Sequence, residues 1–161
     1  MARILIIDDD PHLLAALQRA LRQWPGEALE TEAFDDPFRA LDRICVQEFD
    51  LVISDFMMPK LSGGELLKAL KDVAPNTVRI MLSGSRDFGT ALNAINEAGV
   101  FRFIPKPWQD EELQEAIGQA LDYRQTLLDD AARRAEAEQA LKQGEPGLLD
   151  VQRGPDGSVI L

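Results

Sequence analysis

Thiols and imidazoles are nearly missing from this chain: its 161 residues include one cysteine, Cys45, and one histidine, His12. A lone thiol forms no internal disulfide, which points to a reducing compartment, and metal centres built on thiols or paired imidazoles are excluded. Long apolar runs are missing too. No stretch approaches the ~20 residues needed to span a bilayer, and Met1-Ala2-Arg3-Ile4 enters a strand pattern without the architecture of a signal peptide, so the expected location is cytoplasmic, with no membrane partner. Positive charge is scarce: 17 Lys and Arg against 28 Asp and Glu give a net charge of −11. With a pI near 4.5, the surface repels nucleic-acid phosphates and anionic lipid, which argues against direct nucleic-acid binding. No Gly-x-Gly-x-x-Gly follows the first strand pattern, so a dinucleotide-binding fold has no support.

What is present fits one domain plus an extension, large enough to bury roughly 70% of the surface of its unfolded form. Residues 3 to 7 (RILII) read as a strand, closed by Asp8, Asp9, Asp10 and Pro11. Leu14, Leu17, Leu21 and Trp24 recur at helical spacing until Pro25-Gly26. A second strand is expected over 28–34. Asp36 and Pro37 then supply an N-cap and a first-turn proline for a helix whose apolar face is read as Phe38, Leu41 and Cys45, which assigns Cys45 to core packing. The third strand, 51–54, ends at Asp55, and a loop through Pro59 and Gly63-Gly64 leads to a helix with Leu66, Leu67, Leu70 and Val73 inward. Residues 78–82 give a fourth strand, Ala91, Leu92, Ile95 and Ala98 a fourth helix stopped by Gly99, and residues 101–104 a fifth strand. Strands alternating with helices define an α/β fold, a parallel sheet covered on both faces.

From Asp110 the last helix pattern runs to Gly144, interrupted only by Gly118 and far longer than a sheet needs. Leu113, Ile117 and Ala120 are expected to dock on the sheet. Beyond them Leu127, Leu128, Ala131, Ala135 and Leu141 keep the spacing, which suits either a partner helix or an Ala-stabilised, charged, solvated helix. The chain therefore divides into 1–124 as the main domain, 125–143 as a helical extension and 144–161 as a tail. The tail reads as a hairpin about Gly154-Pro155-Asp156-Gly157 or as the start of further sequence.

In an open parallel sheet, ligands bind beyond the carboxyl ends of the strands. Asp8 and Asp9 follow strand one, Asp55 strand three, Ser83 strand four and Lys106 strand five. Asp55, at the end of an apolar run, is either a strand terminator or a group on display. Two carboxylates about 4 Å apart repel by roughly 4 kcal/mol at an effective dielectric near 20, so three at one edge call for a counter-charge. With oxygen ligands only, that charge is a hard divalent ion: Mg²⁺ is preferred, and Mn²⁺ could substitute. A carboxylate beside Mg²⁺ and a lysine can attack a phosphoryl group, with a hydroxyl donating to its oxygens, which would make Asp55 an acyl phosphate.

Four stretches, RILIIDDDP, DLVISDFMMPKLSGGELL, RIMLSGS and RFIPKPW, resemble a response-regulator receiver domain of two-component signalling, the CheY-like group, over Arg3 to about Arg124. The resemblance implies a doubly wound, five-stranded sheet in the flavodoxin-like order 2-1-3-4-5. It implies Asp8 and Asp9 as the metal pair, Asp55 as phosphoacceptor and further ligand, and the Met57 backbone carbonyl as another ligand. Ser83 and Lys106 become phosphoryl contacts, and Ser83 with Phe103 the switch pair. Ser stands where Thr is commoner, and Phe103 where Tyr also occurs. The implied partners are a histidine kinase or phosphotransfer protein as donor and a downstream output domain or protein. A homodimer could form through the fourth helix, fifth strand and fifth helix, or through the extension. Trp108, with AINEAG ahead of RFIPKPW, is similar to receivers joined to large output domains, including cyclic-dinucleotide phosphodiesterases. The implied role is a phosphoacceptor with slow self-dephosphorylation rather than an enzyme.

Two other classes compete. An Asp-nucleophile phosphohydrolase shows Asp-x-Asp, and Met57 occupies the second acidic position here. A receiver-like scaffold acting without phosphorylation is disfavoured by the intact acceptor residues. Asp10 is read as a helix cap, His12 as exposed, and Met57 and Met58 as packing or partner-surface residues.

Overall fold

Alternating strand and helix patterns give, in the computed structural model, β1 (Ala2–Ile7), α1 (Pro11–Arg22), β2 (Leu29–Phe34), α2 (Pro37–Val46), β3 (Leu51–Asp55), α3 (Gly63–Val73), β4 (Val78–Ser83) and β5 (Arg102–Pro105). A C-terminal helix, Asp110–Lys142, follows. The structure describes residues 1–84 and 99–143, so the expected fourth helix over Ala91 to Ala98 and the expected hairpin in 144–161 lie outside the described residues. Met1–Gln125 forms one compact unit, and Thr126 begins a second. Among the described residues, no helix is long and apolar enough to cross a membrane.

The strands form one parallel sheet in the order β2-β1-β3-β4-β5. That order makes β1 and β3 neighbours and sends both carboxyl ends to the same edge. Both faces are covered, as the near-continuous apolar strands require. On one face Leu5, Ile7, Val52 and Met81 join Ala40 and Ile44 of α2 and Leu66, Leu67 and Leu70 of α3 in a single core cluster. The alternating residues Ile4, Ile6, Ile53, Ile80 and Leu82 point to the opposite face by strand pleat and are equally buried. So are Leu14, Leu17 and Leu21 of α1, and Leu113, Ile117 and Ala120 of the C-terminal helix. Each fully buried Leu or Ile contributes about 1.5–3 kcal/mol of transfer free energy, so these two layers hold the sheet and its edge fixed.

Caps start the helices where the sequence places them. Asp10 accepts from the His12 N–H at 2.9 Å, Asp36 accepts from the Phe38 N–H at 2.9 Å, and each is followed by proline. Ser62 caps α3 by accepting from the Glu65 N–H at 3.1 Å, so the helix begins at Gly63 and the Gly63-Gly64 pair lies inside its first turn rather than in the loop. Gly99 takes φ +63°, a left-handed conformation suited to glycine, just ahead of β5.

Three expected apolar faces shift. In α2 the buried stripe is Pro37, Ala40 and Ile44, while Phe38 is half exposed and Cys45 is exposed, so Cys45 is not a core residue. The periodicity was present one position away. Ala40 is fully buried, and Phe38, two positions earlier and about 200° round the helix, falls on the opposite side. Val73 is also half exposed, at the last residue of α3. Trp24 lies beyond the end of α1 at Arg22 and is not part of its stripe.

Candidate functional site

β1 and β3 run side by side, with Ile7 opposite Ser54, so the residues that follow them, Asp8 and Asp55, emerge together. One carboxylate oxygen from each of Asp8, Asp9 and Asp55 lies within 4.8 Å of the others. Asp8 is fully buried, Asp9 is exposed, and Asp55 is 5% exposed. Asp55 is the last residue of β3 rather than a group beyond it, and it is buried, which corrects the alternative that it stands on display. Its solvent-facing neighbour is Asp9.

Lys106, just past β5, donates from Nζ to Asp8 Oδ2 at 3.1 Å and pairs with Asp55 Oδ1 at 2.6 Å. One ammonium is therefore shared between the two buried acids. The backbone holds its root, since the Lys106 N–H donates to the Ser83 carbonyl at 2.7 Å. Asp10 N–H donates to Asp8 Oδ1 at 2.9 Å, which orients the second carboxylate oxygen toward Lys106.

Charge at this edge is unbalanced. Burial pushes the Asp8 carboxyl above its ordinary range, the Asp10 N–H and Lys106 pull it back, and the Asp55 charge adds to the rise. Burial likewise pushes Asp55 up; Lys106 opposes this and the Asp9 charge reinforces it. For Lys106, burial alone would lower the affinity for its proton, but hydrogen bonds and charge from Asp55 and Asp8 outweigh it and hold the ammonium above its usual value. Among the described residues, one ammonium thus offsets two of the three acids. An all-oxygen donor set on two buried carboxylates and one exposed one fits a hard divalent ion that keeps some of its waters.

The remaining expected residues surround this edge. Ser83 is fully buried at the end of β4, and its hydroxyl donates to the Gly84 carbonyl at 3.1 Å. In register, Asp55 faces Leu82, the residue before Ser83. Phe103 faces Met81 across β4 and β5 and packs, partly buried, against the core cluster. Met57 is 59% exposed, two residues past Asp55, whereas Met58 is buried.

Sequence reasoning missed three supports of this site. Gly63 approaches the backbone at Asp55 so closely that a Cβ there would lie 1.9 Å from the Asp55 carbonyl oxygen. Its N–H donates to the Phe56 carbonyl at 2.8 Å, and the Phe56 N–H donates to the Leu82 carbonyl at 2.9 Å, so the turn after β3 is pinned on both sides. The Ser54 hydroxyl, which interrupts the apolar run, donates to the Asp55 carbonyl at 3.0 Å. Lys60 pairs with Asp36 at 3.0 Å and ties the loop after β3 to the cap of α2. The polar interruption at Ser54 was a usable signal; the Lys60 pair, between residues far apart in sequence, had none.

A five-stranded sheet with three acids and a lysine at its carboxyl edge defines a class, and comparison with known proteins names it. Residues 4–118 match the family model described as the response regulator receiver domain, and the chain belongs to that family. Among solved structures, the receiver domain of an HD domain-containing protein from Pseudomonas fluorescens Pf-5 superposes with a TM-score of 0.74 at 34% identity, covering 80% of this chain and 92% of that one. A receiver domain from Clostridium thermocellum gives a TM-score of 0.72 at 30% identity, over 79% of this chain and 99% of that one. The hydrogenase transcriptional regulatory protein HoxA of Cupriavidus necator is 33% identical over 75% of this chain, a match covering 24% of the relative. The C4-dicarboxylate transport transcriptional regulatory protein DctD of Pseudomonas aeruginosa is 32% identical over 82% of this chain and 28% of its own length. The chain thus spans about a quarter of the length of these curated relatives.

Proposed function

We propose that Asp55 accepts a phosphoryl group from a histidine kinase or phosphotransfer protein in a Mg²⁺-dependent step. The observation that supports this most directly is the Lys106 ammonium, shared by Asp55 and Asp8 with Asp9 within reach of both. Asp8, Asp9, Asp55 and the Met57 carbonyl would hold the ion, which when bound supplies positive charge for the incoming phosphoryl oxygens. An Asp55 carboxylate oxygen attacks phosphorus, the bond from phosphorus to the donor nitrogen breaks, and the donor imidazole leaves with its electron pair. Lys106 moves from the Asp55 carboxylate to a phosphoryl oxygen, so the charge it compensates changes owner without the lysine leaving the site. The Ser83 hydroxyl exchanges the Gly84 carbonyl for another phosphoryl oxygen, and Phe103 follows it inward.

The acyl phosphate carries roughly one more negative charge than the carboxylate, and this biases the face near β5 and the C-terminal helix. Residues 1–124 would act as receiver and 125–143 as the segment that reports the change to an output domain, an output protein or a second copy. The transcriptional-regulator names of HoxA and DctD, and the HD domain-containing neighbour, support an output of that kind beyond the matched region.

Incubation with Mg²⁺ and acetyl phosphate, followed by intact-mass measurement, tests the step. Wild type should gain one phosphoryl mass, and Asp55→Ala or wild type with excess chelator should gain none. Equal labelling of Asp55→Ala would overturn the assignment.

A further inference from the structure

β3 carries an acid at each end. Asp55 meets Lys106 at the carboxyl edge, while Asp50, immediately before the strand, meets Arg124 of the C-terminal helix at the opposite edge, with Nε 3.2 Å from Oδ1. The phosphoacceptor chemistry makes no use of this second pair, yet Arg124 is 7% exposed. A buried guanidinium with good partners marks a position where geometry matters, since desolvating it is costly unless its donors are satisfied.

Its three partners come from two segments, the connection between α2 and β3 and the loop ahead of β4. Nε donates to Asp50, Nη1 donates to the Asn76 carbonyl at 2.6 Å, and Nη2 donates to Glu48 Oε1 at 3.0 Å. Asp50 is itself a junction. Its Oδ2 accepts from the Arg3 N–H at 2.8 Å, its N–H donates to the Arg3 carbonyl at 2.9 Å, and its carbonyl accepts from the Val78 N–H at 3.0 Å. Arg124 therefore grips the point where β1, β3 and β4 begin, and these are the strands whose far ends present Asp8, Asp55 and Ser83. Gln125 is the last residue of the first compact unit, and the helix continues past it to Lys142.

We propose that Arg124 is the positioning residue that locks the root of the C-terminal helix to the strand heads, so that the extension reports the state of the receiver only while this anchor holds. The anchoring stands on the geometry alone; the reporting rests on the phosphoacceptor function proposed above. Lysine should replace it poorly, because one compact ammonium cannot reach a side-chain carboxylate on each side and a backbone carbonyl together.

The full chain, as wild type, Arg124→Lys, Arg124→Gln and Glu48→Gln, should be followed by hydrogen exchange and by intact mass with Mg²⁺ and acetyl phosphate. Glu48 is the most exposed partner, so its variant loosens the anchor without emptying the core. Expected are exchange over residues 119–125 at least tenfold faster in Arg124→Gln and intermediate in Arg124→Lys and Glu48→Gln. Phosphoryl uptake should stay within about twofold of wild type while the phosphorylation-dependent change in exchange beyond residue 125 disappears. Unchanged exchange over 119–125, or acceleration spread equally over β1, β3 and β4, overturns the anchor. A wild type that takes up no phosphoryl group defeats the phosphoacceptor assignment instead and leaves the exchange result over 119–125 to decide the anchor.

Discussion

Lys106 Nζ stands 2.6 Å from Asp55 Oδ1, a contact between the residue after the last strand and the end of the third. The same ammonium reaches Asp8, so it supplies positive charge to two of the three clustered acids. Lys106→Met is therefore expected to separate two properties. Phosphoryl uptake should fall at least tenfold because an oxyanion contact is gone, whereas magnesium affinity should hold or rise because a competing cation is gone. Trp108, two residues away, offers the fluorescence signal for the titration. If magnesium binding collapses along with uptake, the lysine organises the acids rather than meeting the phosphoryl group.

Gly63 makes a steric demand on the turn after β3. A Cβ placed there would stand 1.9 Å from the Asp55 carbonyl oxygen and 2.9 Å from the Phe56 Cα, and both obstacles are backbone. Neither can rotate away as a side-chain tip could. Gly63→Ala is expected to destabilise by about 1–3 kcal/mol, the usual scale of overpacking, despite the better helix propensity of alanine. Urea unfolding would show it as a lower midpoint at unchanged slope. Gly64→Ala serves as the control, and equal effects at the two positions would contradict the close approach.

At the edge strand, the Arg43 guanidinium holds the Glu32 carboxyl below its ordinary range by a hydrogen bond of 2.8 Å from Nε and a second of 3.1 Å from Nη2. An acid with a depressed pKa in the folded state contributes stability above its unfolded value, near 4.5, and that contribution is lost as pH falls through the folded value. The pair is partly solvated, so its contribution is small and falls with salt. The melting temperature of Glu32→Gln should lie slightly below wild type at pH 7, and the gap should close as pH drops below 4.5. A gap that widens on acidification would reverse the sign and discard the pair as its source.

How much of this was legible in the sequence depended on whether a feature was local or recurrent. Strand order and sheet edge followed from motifs at four strand ends, and the caps at Asp10 and Asp36 followed from the prolines behind them. Asp55 does lie in the acid cluster beside Lys106, but its burial was not foreseen, because burial at a strand end depends on how closely the neighbouring strands and Lys106 cover it. Gly63 and Arg124 went unread for a related reason. Close backbone approach and a grip on two distant loops are properties of the packed chain, and neither leaves a periodic trace.

The face of α2 is the clearest misreading, and it can be tested in one helix. Phe38, Leu41 and Cys45 have helical spacing, but so do Pro37, Ala40 and Ile44, one position earlier; the second set is buried, whereas of the first only Leu41 packs, partly buried, against the core cluster. Ile44 joins the core cluster with Phe49, Val52 and Leu70, whereas Cys45 is exposed. Ile44→Ala should therefore cost about 2–5 kcal/mol through lost transfer energy and the cavity left behind. Cys45→Ser should stay within about 0.5 kcal/mol of wild type, as surface changes do. Thiol labelling of the native protein adds a second measure, since Cys45 should react with a small maleimide without denaturant. A native protein whose thiol stays unreactive until unfolding, or a Cys45→Ser loss as large as that of Ile44→Ala, would return the helix to the orientation its larger residues suggested.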